Sequence, residues 1–338
     1  MRTADFDYFL PPDLIAQRPL TSRDQCRLLV LNRQSGTTDH HRFDELPRIL
    51  QPGDLLVLND SRVIPARLFG QKPSGGHVEV LLTRRRQPDS WLALTHPGLR
   101  VGQCVHFSDG LEATVEEIEA DGQRTLRFNR SSAHLDAAIH HIGVMPIPPY
   151  VKKPPERPED YQTVYAREDG SIAAPTAGLH FSEDLLAELT RHGIEQTFLT
   201  LHVGVGTFRP VKTDDVAHHH MHAEWFRLTP AVADRINQAK SEGRRIVAVG
   251  TTVVRTLETT VDAMGKVIPS EGETSLFIVP GYAFRVVDAL ITNFHLPTST
   301  LVMLVAAFAG RERLLAAYEE AVAQRYRFYS FGDAMLIE

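Results

Sequence analysis

The segment LITNFHLP at residues 290–297 is the strongest indication of the fold. It ends an apolar run with Asn293 and His295 and is followed by a second apolar run that is long enough for a helix. The same order of features occurs in LTLHVGVGT at residues 199–207 and in IVAVGTT at residues 246–252. In open α/β sheets the ligand binds beyond the carboxyl ends of the strands. Three such junctions therefore predict one composite pocket in an enzyme.

Residues 78–128 have a different pattern, with short runs of alternating apolar and polar residues that are separated by Gly, Asp, Ser and Pro. Pro-rich segments at 72–76 and 145–155 flank this region. Many short strands at close spacing predict a small barrel or sandwich, whereas the later alternation of strand and helix predicts an α/β domain with parallel strands. We therefore expect an α/β main domain formed by residues 1–66 and 149–338, with an inserted all-β, barrel-like domain at residues 67–148.

Composition favours a cytoplasmic protein without a membrane segment. The 36 Lys and Arg against 42 Asp and Glu give a net charge of −6, so any nucleic-acid partner must meet local basic patches. The two cysteines, Cys26 and Cys104, form no CxxC pair. The longest apolar run, at residues 301–310, is shorter than the ~20 residues that a membrane span needs.

Two helices have clear sequence boundaries. Ser182 is a candidate N-cap, and Gly193 is the candidate stop of that helix. Thr229 followed by Pro230 starts the other helix, and Gly243 ends it.

Two loops carry candidate binding groups. The segment AAPTAGLH at residues 173–180 leads into the Ser182 helix, so His180 would sit at a positive helix end that suits an anion and favours a neutral imidazole. The alternative is that this loop is only tightly shaped and His180 helps to cap the helix. Gly204 and Gly206 do not belong to a dinucleotide-binding loop, because Arg209 and an extended segment follow them. They allow close approach of a backbone or a ligand, or form a plain turn.

The run HHHMHAE at residues 218–224 leaves three interpretations open. If it is extended, His218, His220, His222 and Glu224 share one face and resemble zinc ligands. Alternate residues of a strand are ~6.6 Å apart, which is poor geometry for one ion. One histidine and Glu224 could instead share a proton for acid–base work, or the run could be a solvated strand edge.

The segment GTTVVRTLE at residues 250–258 places Thr251 and Thr252 at a helix start and Arg255 one turn later. Arg255 either clamps a substrate or forms a surface ion pair with Glu258. Nine basic residues in short local groups could contact phosphates, namely Arg62, Arg67, Arg84, Arg85, Arg86, Lys152, Lys153, Arg325 and Arg327. The alternative is that these side chains are simply solvated, as most short charged groups are.

Eight ordered motifs resemble the S-adenosylmethionine:tRNA ribosyltransferase-isomerases of queuosine biosynthesis, the QueA family. They lie at residues 10–17, 59–68, 173–181, 201–211, 219–224, 249–258, 292–301 and 326–335, so the resemblance runs from end to end. It implies transfer of the ribosyl part of S-adenosylmethionine, a co-substrate, to 7-aminomethyl-7-deazaguanine at the tRNA wobble position. Adenine and methionine leave, and epoxyqueuosine forms.

The resemblance also implies an α/β domain with an inserted β-barrel and no metal. The chain departs from the family pattern at residues 95–100, where a lysine-richer segment is common. His218 and His220 also lie outside the pattern, which weakens the zinc interpretation.

Roles follow from the chemistry that the resemblance implies. The sulfonium acidifies the ribose C5′ protons, so His222, oriented by Glu224, is the expected base, and His295 or His180 is the expected acid for the departing adenine. The resemblance also implies contacts to the rest of S-adenosylmethionine. Thr251, Thr252 and Arg255 are expected at its carboxylate, and Phe294 and Asn293 at a nucleobase. His202, Gly204 and Gly206 are expected to line the pocket. The nine basic residues named above are the expected tRNA contacts.

Two other functions remain open from the residues alone. A metal-dependent hydrolase would use the histidine run. A non-catalytic RNA-binding protein would use the barrel and the basic groups, but it would not need His, Thr and Asn at the strand ends. We expect a monomer or a weak oligomer.

Overall fold

The computed structural model describes residues 1–152, 157–204, 206 and 213–338, which form two compact units. The first unit contains Met1–Ser61, Pro149–Arg167 and Ala174–Glu338, and the second contains Arg62–Pro148 and Glu168–Ala173. The strands are β1 (Arg27–Leu31), β2 (Thr38–Arg42), β3 (Leu55–Asn59), β4 (Ser61–Val63), β5 (Arg67–Gln71), β6 (His77–Gln87), β7 (Ser90–His96), β8 (Cys104–His106), β9 (Glu112–Ile118), β10 (Arg124–Phe128), β11 (Glu168–Ser171), β12 (Glu195–Leu201), β13 (Glu224–Leu228), β14 (Ile246–Val249), β15 (Ser270–Thr274), β16 (Ala289–Asn293) and β17 (Ala334–Ile337). The α-helices are α1 (Leu46–Ile49), α2 (Ser132–Ile142), α3 (Glu183–Arg191), α4 (Pro230–Ser241), α5 (Thr251–Thr260), α6 (Thr300–Ala309) and α7 (Arg311–Ala323).

The first unit is built on a nine-stranded sheet with the order β15-β13-β12-β3-β14-β16-β17-β1-β2. Its centre is parallel, since β12 pairs with β3, β3 with β14, and β14 with β16, all in parallel. Antiparallel pairs flank this centre, as β13 with β12 and β17 with β16. The sheet is therefore mixed, with a parallel centre. The carboxyl ends of β12, β3, β14 and β16 share one sheet edge.

The central strands are apolar because helices cover both faces of the sheet. All residues of β3, β14 and β16 are buried. Leu55 and Val57 contribute to the core on one side, with α4, α5, α6 and α7, while Leu56 and Leu58 contribute to the core on the other side, with α1 and α3. Near-continuous apolar runs are typical of parallel strands buried on two faces.

The predicted helix boundaries agree with the structure. Ser182 Oγ accepts a hydrogen bond from the Leu185 amide at 3.1 Å, and α3 ends before Gly193, which has a φ of 79°. Helix α4 begins at Pro230, although Thr229 makes no side-chain cap bond. Across the residues that the structure describes, no helix combines the length and the apolar character that membrane crossing requires.

The second unit contains a closed barrel with the strand order β10-β7-β6-β5-β8-β9, which closes through the β9–β10 pair. Strand β6 shows the alternation that a barrel needs, because Val78, Val80 and Leu82 are buried and their neighbours are not. An α/β domain with an inserted barrel is thus confirmed. Residues 62–66 and 168–173, which the sequence assigned to the main domain, lie in the barrel unit. Strand β11 pairs there with β4.

Candidate active site

Polar residues follow β12, β3, β14 and β16 at the edge where these parallel strands end, and Asn59 at the end of β3 is one of them. Its Oδ1 accepts from the Ser61 amide at 3.1 Å and from the Leu201 amide at 3.0 Å. Its Nδ2 donates to Leu201 O at 2.9 Å and to Thr252 Oγ1 at 3.3 Å. The buried amide therefore connects the end of β12 with the start of α5. Asn59 was not among the predicted site residues, although it lies in the motif at residues 59–68.

Asn293 at the end of β16 holds His180 in one tautomer. Asn293 Nδ2 donates to Tyr329 O at 3.2 Å, which fixes the orientation of the amide, and Thr176 Oγ1 donates to its Oδ1 at 2.9 Å. The same Nδ2 lies 2.9 Å from His180 Nε2, so Nε2 accepts and Nδ1 carries the proton. Nδ1 lies 3.3 Å from Cys26 Sγ. Cys26 was not among the predicted site residues.

His180 and His295 are both neutral near pH 7, because burial lowers the pKa of His180 to about 4 and that of His295 to about 3. The expected neutrality of His180 therefore comes mainly from burial rather than from a helix end. His295 Nε2 lies 2.7 Å from Thr292 Oγ1. Near pH 7 each imidazole therefore carries a single ring proton, which argues against a cationic acid at either position. The acid role expected of His180 or His295 stays a prediction.

Glu224 and Arg255 form a buried ion pair, with side chains that are 6% and 7% exposed. Glu224 Oε1 accepts from the Gly204 amide at 2.8 Å, and its Oε2 accepts from Arg255 Nη1. Arg255 Nε donates to Leu276 O at 3.1 Å, and Nη2 donates to Thr274 O at 3.2 Å. The pair therefore anchors the residues after β12 to α5 and β15.

The alternative of a surface ion pair between Arg255 and Glu258 is wrong. Glu258 is buried, and it accepts from the backbone amides of Arg285 and Val286, each at 3.0 Å. Arg255 and Glu258 are one turn apart on α5, but each of them binds partners on other elements.

His222 precedes β13 and lies half-buried against Gly206. A Cβ added to Gly206 would lie 3.0 Å from His222 Cδ2 and 3.2 Å from His222 Cβ, so the glycine permits this close approach. Both oxygens of Glu224 bind other groups, so the structure gives Glu224 no hydrogen bond that orients His222. The histidine run is not a strand, since His218 ends a 3-10 helix and β13 begins only at Glu224.

The remaining expected pocket residues differ in their exposure. His202 is half-buried, with its Nδ1 2.7 Å from Ser61 Oγ and its ring stacked on Trp225 at 4.8 Å. Thr251 is buried in the first turn of α5. Phe294 is fully buried and packs against Phe328, with ring centroids 4.9 Å apart. This is a core position, so its surroundings do not support stacking on a ligand.

An open aromatic cleft lies close to the strand-end groups, and sequence analysis missed it. It has a volume of about 480 Å³ and is lined by Asp7, Tyr8, Phe9, Leu10, Ile15, Pro297 and Tyr329. Phe9 is 80% exposed. The Tyr8 hydroxyl donates to His295 O, and the Tyr329 amide donates to Phe294 O at 3.2 Å. The sequence signal that could have found it was the motif at residues 10–17.

Most of the expected tRNA contacts already have acidic partners. In the barrel unit these pairs are Arg62 with Asp169, Arg67 with Glu79, Arg85 with Asp136 and Arg86 with Glu119. In the first unit, Arg325 pairs with Asp13 and Arg327 with Asp333. Arg84 is half-buried in β6, Lys152 is exposed, and Lys153 lies outside the described residues. The first five of these pairs are at least partly exposed and therefore weak, so they do not prevent an arginine from binding phosphate, whereas Arg327 is paired with the buried Asp333.

Comparisons with known proteins agree over the whole chain. The family model described as "Queuosine biosynthesis protein" matches residues 3–337. Proteins named S-adenosylmethionine:tRNA ribosyltransferase-isomerase from Moorella thermoacetica and Desulfitobacterium hafniense are 54% and 52% identical, and each match covers 100% of both chains. The crystal structure of an S-adenosylmethionine tRNA ribosyltransferase from Thermotoga maritima matches with a TM-score of 0.56 and 38% identity, covering 99% of this chain and 100% of that one. The resemblance seen in the eight motifs is confirmed.

Proposed function

This chain belongs to the queuosine biosynthesis protein family, and we propose that it performs the reaction for which its relatives are named. It transfers the ribosyl moiety of S-adenosylmethionine to 7-aminomethyl-7-deazaguanine at the wobble position of tRNA and isomerises it. The products are epoxyqueuosine in tRNA, adenine and methionine. The observation that carries this proposal is identity of 54% over the full length of a relative of that name.

His222 is the base that we assign to the first proton transfer. The sulfonium makes the adjacent C5′ protons of ribose acidic, so removal of one of them requires a well-placed acceptor. His222 is half-buried and packs on Gly206, at the sheet edge where the strand-end groups meet. Glu224 supports it indirectly, because its bond to the Gly204 amide positions the glycine segment that faces the His222 ring.

The methionine carboxylate of the co-substrate binds at the start of α5. The first turn of a helix presents free amide hydrogens, and the helix dipole favours an anion there. Thr251 and Thr252 add hydroxyl groups at this turn, and Thr252 Oγ1 accepts from Asn59. Arg255 contributes through its bonds to Glu224, Leu276 and Thr274, which hold the turn in place.

A flat base binds in the aromatic cleft. Aromatic side chains stack on any nucleobase, and the exposed ring of Phe9 with Tyr8 and Tyr329 offers such a surface. This assignment replaces Phe294, whose ring is fully buried. Asn293 and His180 then shape the neighbouring wall as neutral hydrogen-bonding groups.

The tRNA is held by local cations, because the net charge of −6 offers no attractive overall field. The contacts that we propose are Arg62, Arg67, Arg84, Arg85, Arg86, Lys152, Lys153, Arg325 and Arg327. The reaction that we propose uses no metal, and the enzyme acts in the cytoplasm as a monomer or a weak oligomer.

The function is tested by incubating the purified protein with S-adenosylmethionine and tRNA that carries 7-aminomethyl-7-deazaguanine. We expect release of adenine and methionine, and mass spectrometry of the digested tRNA should show the cyclopentane epoxide on the base. Release of S-adenosylhomocysteine with a methylated tRNA would contradict the proposal, because it would mean transfer of the methyl group instead.

A further inference from the structure

Three potential metal ligands converge on the outer face of the barrel, apart from the residues of the candidate active site. They are Cys104 and His106 on β8 and Glu112 on β9, and one ligand atom from each lies within 4.8 Å of those of the other two. His106 Nδ1 and Glu112 Oε1 are 3.0 Å apart. Cys104 is half-buried, and the other two side chains are exposed.

The strand register explains this convergence. Val105 pairs with Ala113, and both side chains are buried in the barrel, so the residues on either side of Val105 point outward. His106 pairs directly with Glu112, and Cys104 is two residues away on the same face. Two of the three ligands thus come from one strand, and the third comes from the opposite position on its neighbour.

The backbone of β8 is held firmly at this point. Strand β5 approaches β8 at Gly70, where an added Cβ would lie 2.6 Å from Val105 Cγ1 and 2.7 Å from His106 O. Strands β5 and β8 pair at Gln71 and His106. Any side chain at position 70 would therefore push β8 away and move the two ligands that it carries.

We propose that Cys104, His106 and Glu112 form a zinc-binding site. A thiolate, an imidazole and a carboxylate are the three ligand types that zinc accepts, and a water can complete the tetrahedron. The thiolate disfavours Mg²⁺ and Ca²⁺, which take oxygen ligands. Zinc bonds of about 2.0–2.3 Å place neighbouring ligand atoms roughly 3.3–3.8 Å apart, so small side-chain rotations bring the three atoms into position.

The site differs from the histidine run in the number of strands that supply its ligands. In an extended run, all ligands belong to one strand and spread along it, whereas here a cross-strand pair supplies two of the three. Binding ties β8 to β9 and requires Cys104 to lose its thiol proton. Zinc is therefore expected to stabilise the barrel, since a ligand that binds only the folded state raises its stability.

Cobalt(II) is the probe for this site, because a cobalt–thiolate bond gives a near-ultraviolet charge-transfer absorption. The full-length protein is treated with a chelator, separated from it and titrated with CoCl₂. We expect the thiolate band to saturate at one equivalent and to disappear when ZnCl₂ is added. The chain has two cysteines, and Cys26 is buried with a thiol pKa that burial raises, so the band reports Cys104.

Variants distinguish this site from other metal-binding histidines. Cys104→Ser should abolish the band, and His106→Ala or Glu112→Gln should weaken cobalt binding by about tenfold or more. The matched controls are His77→Ala, at an exposed histidine of the barrel, and the double change His218→Ala with His220→Ala; both should keep the band.

The outcome decides the proposal in either direction. Cobalt binding without a thiolate band in the unaltered protein would overturn it, as would equal zinc affinity of the unaltered protein and Cys104→Ser. Melting of metal-free Cys104→Ser at the temperature of the metal-free parent shows that the variant folds. If its band is then absent while the controls keep theirs, the site is assigned.

Discussion

The buried pair of Glu224 and Arg255 gives the sharpest test of the site's architecture. Replacing Glu224 with Gln leaves a guanidinium that is 7% exposed without its counter-charge. The new amide would also direct a donor at either Arg255 or Gly204, where a carboxylate now accepts from both. Removing one partner of a buried ion pair costs about 3–5 kcal/mol.

This cost should appear as a large fall in the melting temperature of the first unit. For a domain of 150–250 residues, 1 kcal/mol corresponds to about 2–4 °C, so we expect Glu224→Gln to melt roughly 6–20 °C lower. Glu271→Gln is the matched control, because Glu271 is exposed on β15, next to β13. A change at an exposed position should stay within about 0.5 kcal/mol.

Thermal unfolding followed by circular dichroism measures both variants. The double variant Glu224→Gln with Arg255→Met should be less destabilised than the sum of the single changes, since the uncompensated charge is then gone. A melting temperature of Glu224→Gln that matches the Glu271→Gln control would refute the reasoning, because the pair could not then anchor the segment after β12.

Four further predictions concern catalysis, metal, RNA and pH. His222→Ala should lower the rate of adenine release by about 10²–10⁴-fold, the usual contribution of a general base, whereas His218→Ala should stay near the parent rate; equal losses would remove His222 from its role. Turnover should survive exhaustive chelation, even though we expect the barrel to lose its zinc; activity that is lost with the metal and restored by zinc would place a metal in the reaction. Changing Arg84, Arg85 and Arg86 together to Ala should weaken tRNA binding and leave S-adenosylmethionine affinity unchanged. The slope of log affinity against log salt, measured by filter binding, should fall by about one unit for each phosphate that the variant no longer neutralises. An unchanged slope would point instead to Arg62, Arg67, Arg325 and Arg327. The fourth prediction follows from the pKa of His180, which is about 4 in the folded protein against an ordinary 6.5. As the pH falls from 6.5 to 4, His180 takes up a proton in the unfolded chain but not in the folded chain, so the free energy of unfolding falls by up to about 1.4 kcal/mol per pH unit. Urea unfolding of His180→Gln should therefore depend less on pH than that of the parent; an equal pH dependence would contradict this.

The sequence alone determined the main elements of the fold, because those signals are local. The runs at residues 55–58, 246–249 and 289–291 are apolar without alternation, which is typical of parallel strands covered on two faces. The alternation in β6 predicts the opposite case, a strand with one buried face. Ser182 and Gly193 marked the ends of α3 because caps and stops act within one helical turn.

The sequence also predicted that polar residues would gather at one edge of the sheet. Parallel strands end at the same edge, so polar residues after β12, β14 and β16 had to lie near one another. The eight ordered motifs carried the family assignment. Both features can be read from the sequence without knowledge of which side chains touch.

Only the tertiary structure decided the partners of those side chains. Arg255 has Glu258 within one helical turn, yet it pairs with Glu224, which is 31 positions away. Asn293 bonds to His180, which is 113 positions away, and Phe294 beside it lies in the core. Residue spacing fixes the direction of a side chain relative to its own helix or strand. The group that it meets is fixed by how distant elements pack, and this packing set the partners of Arg255, the neutrality of His180 and the convergence of Cys104, His106 and Glu112.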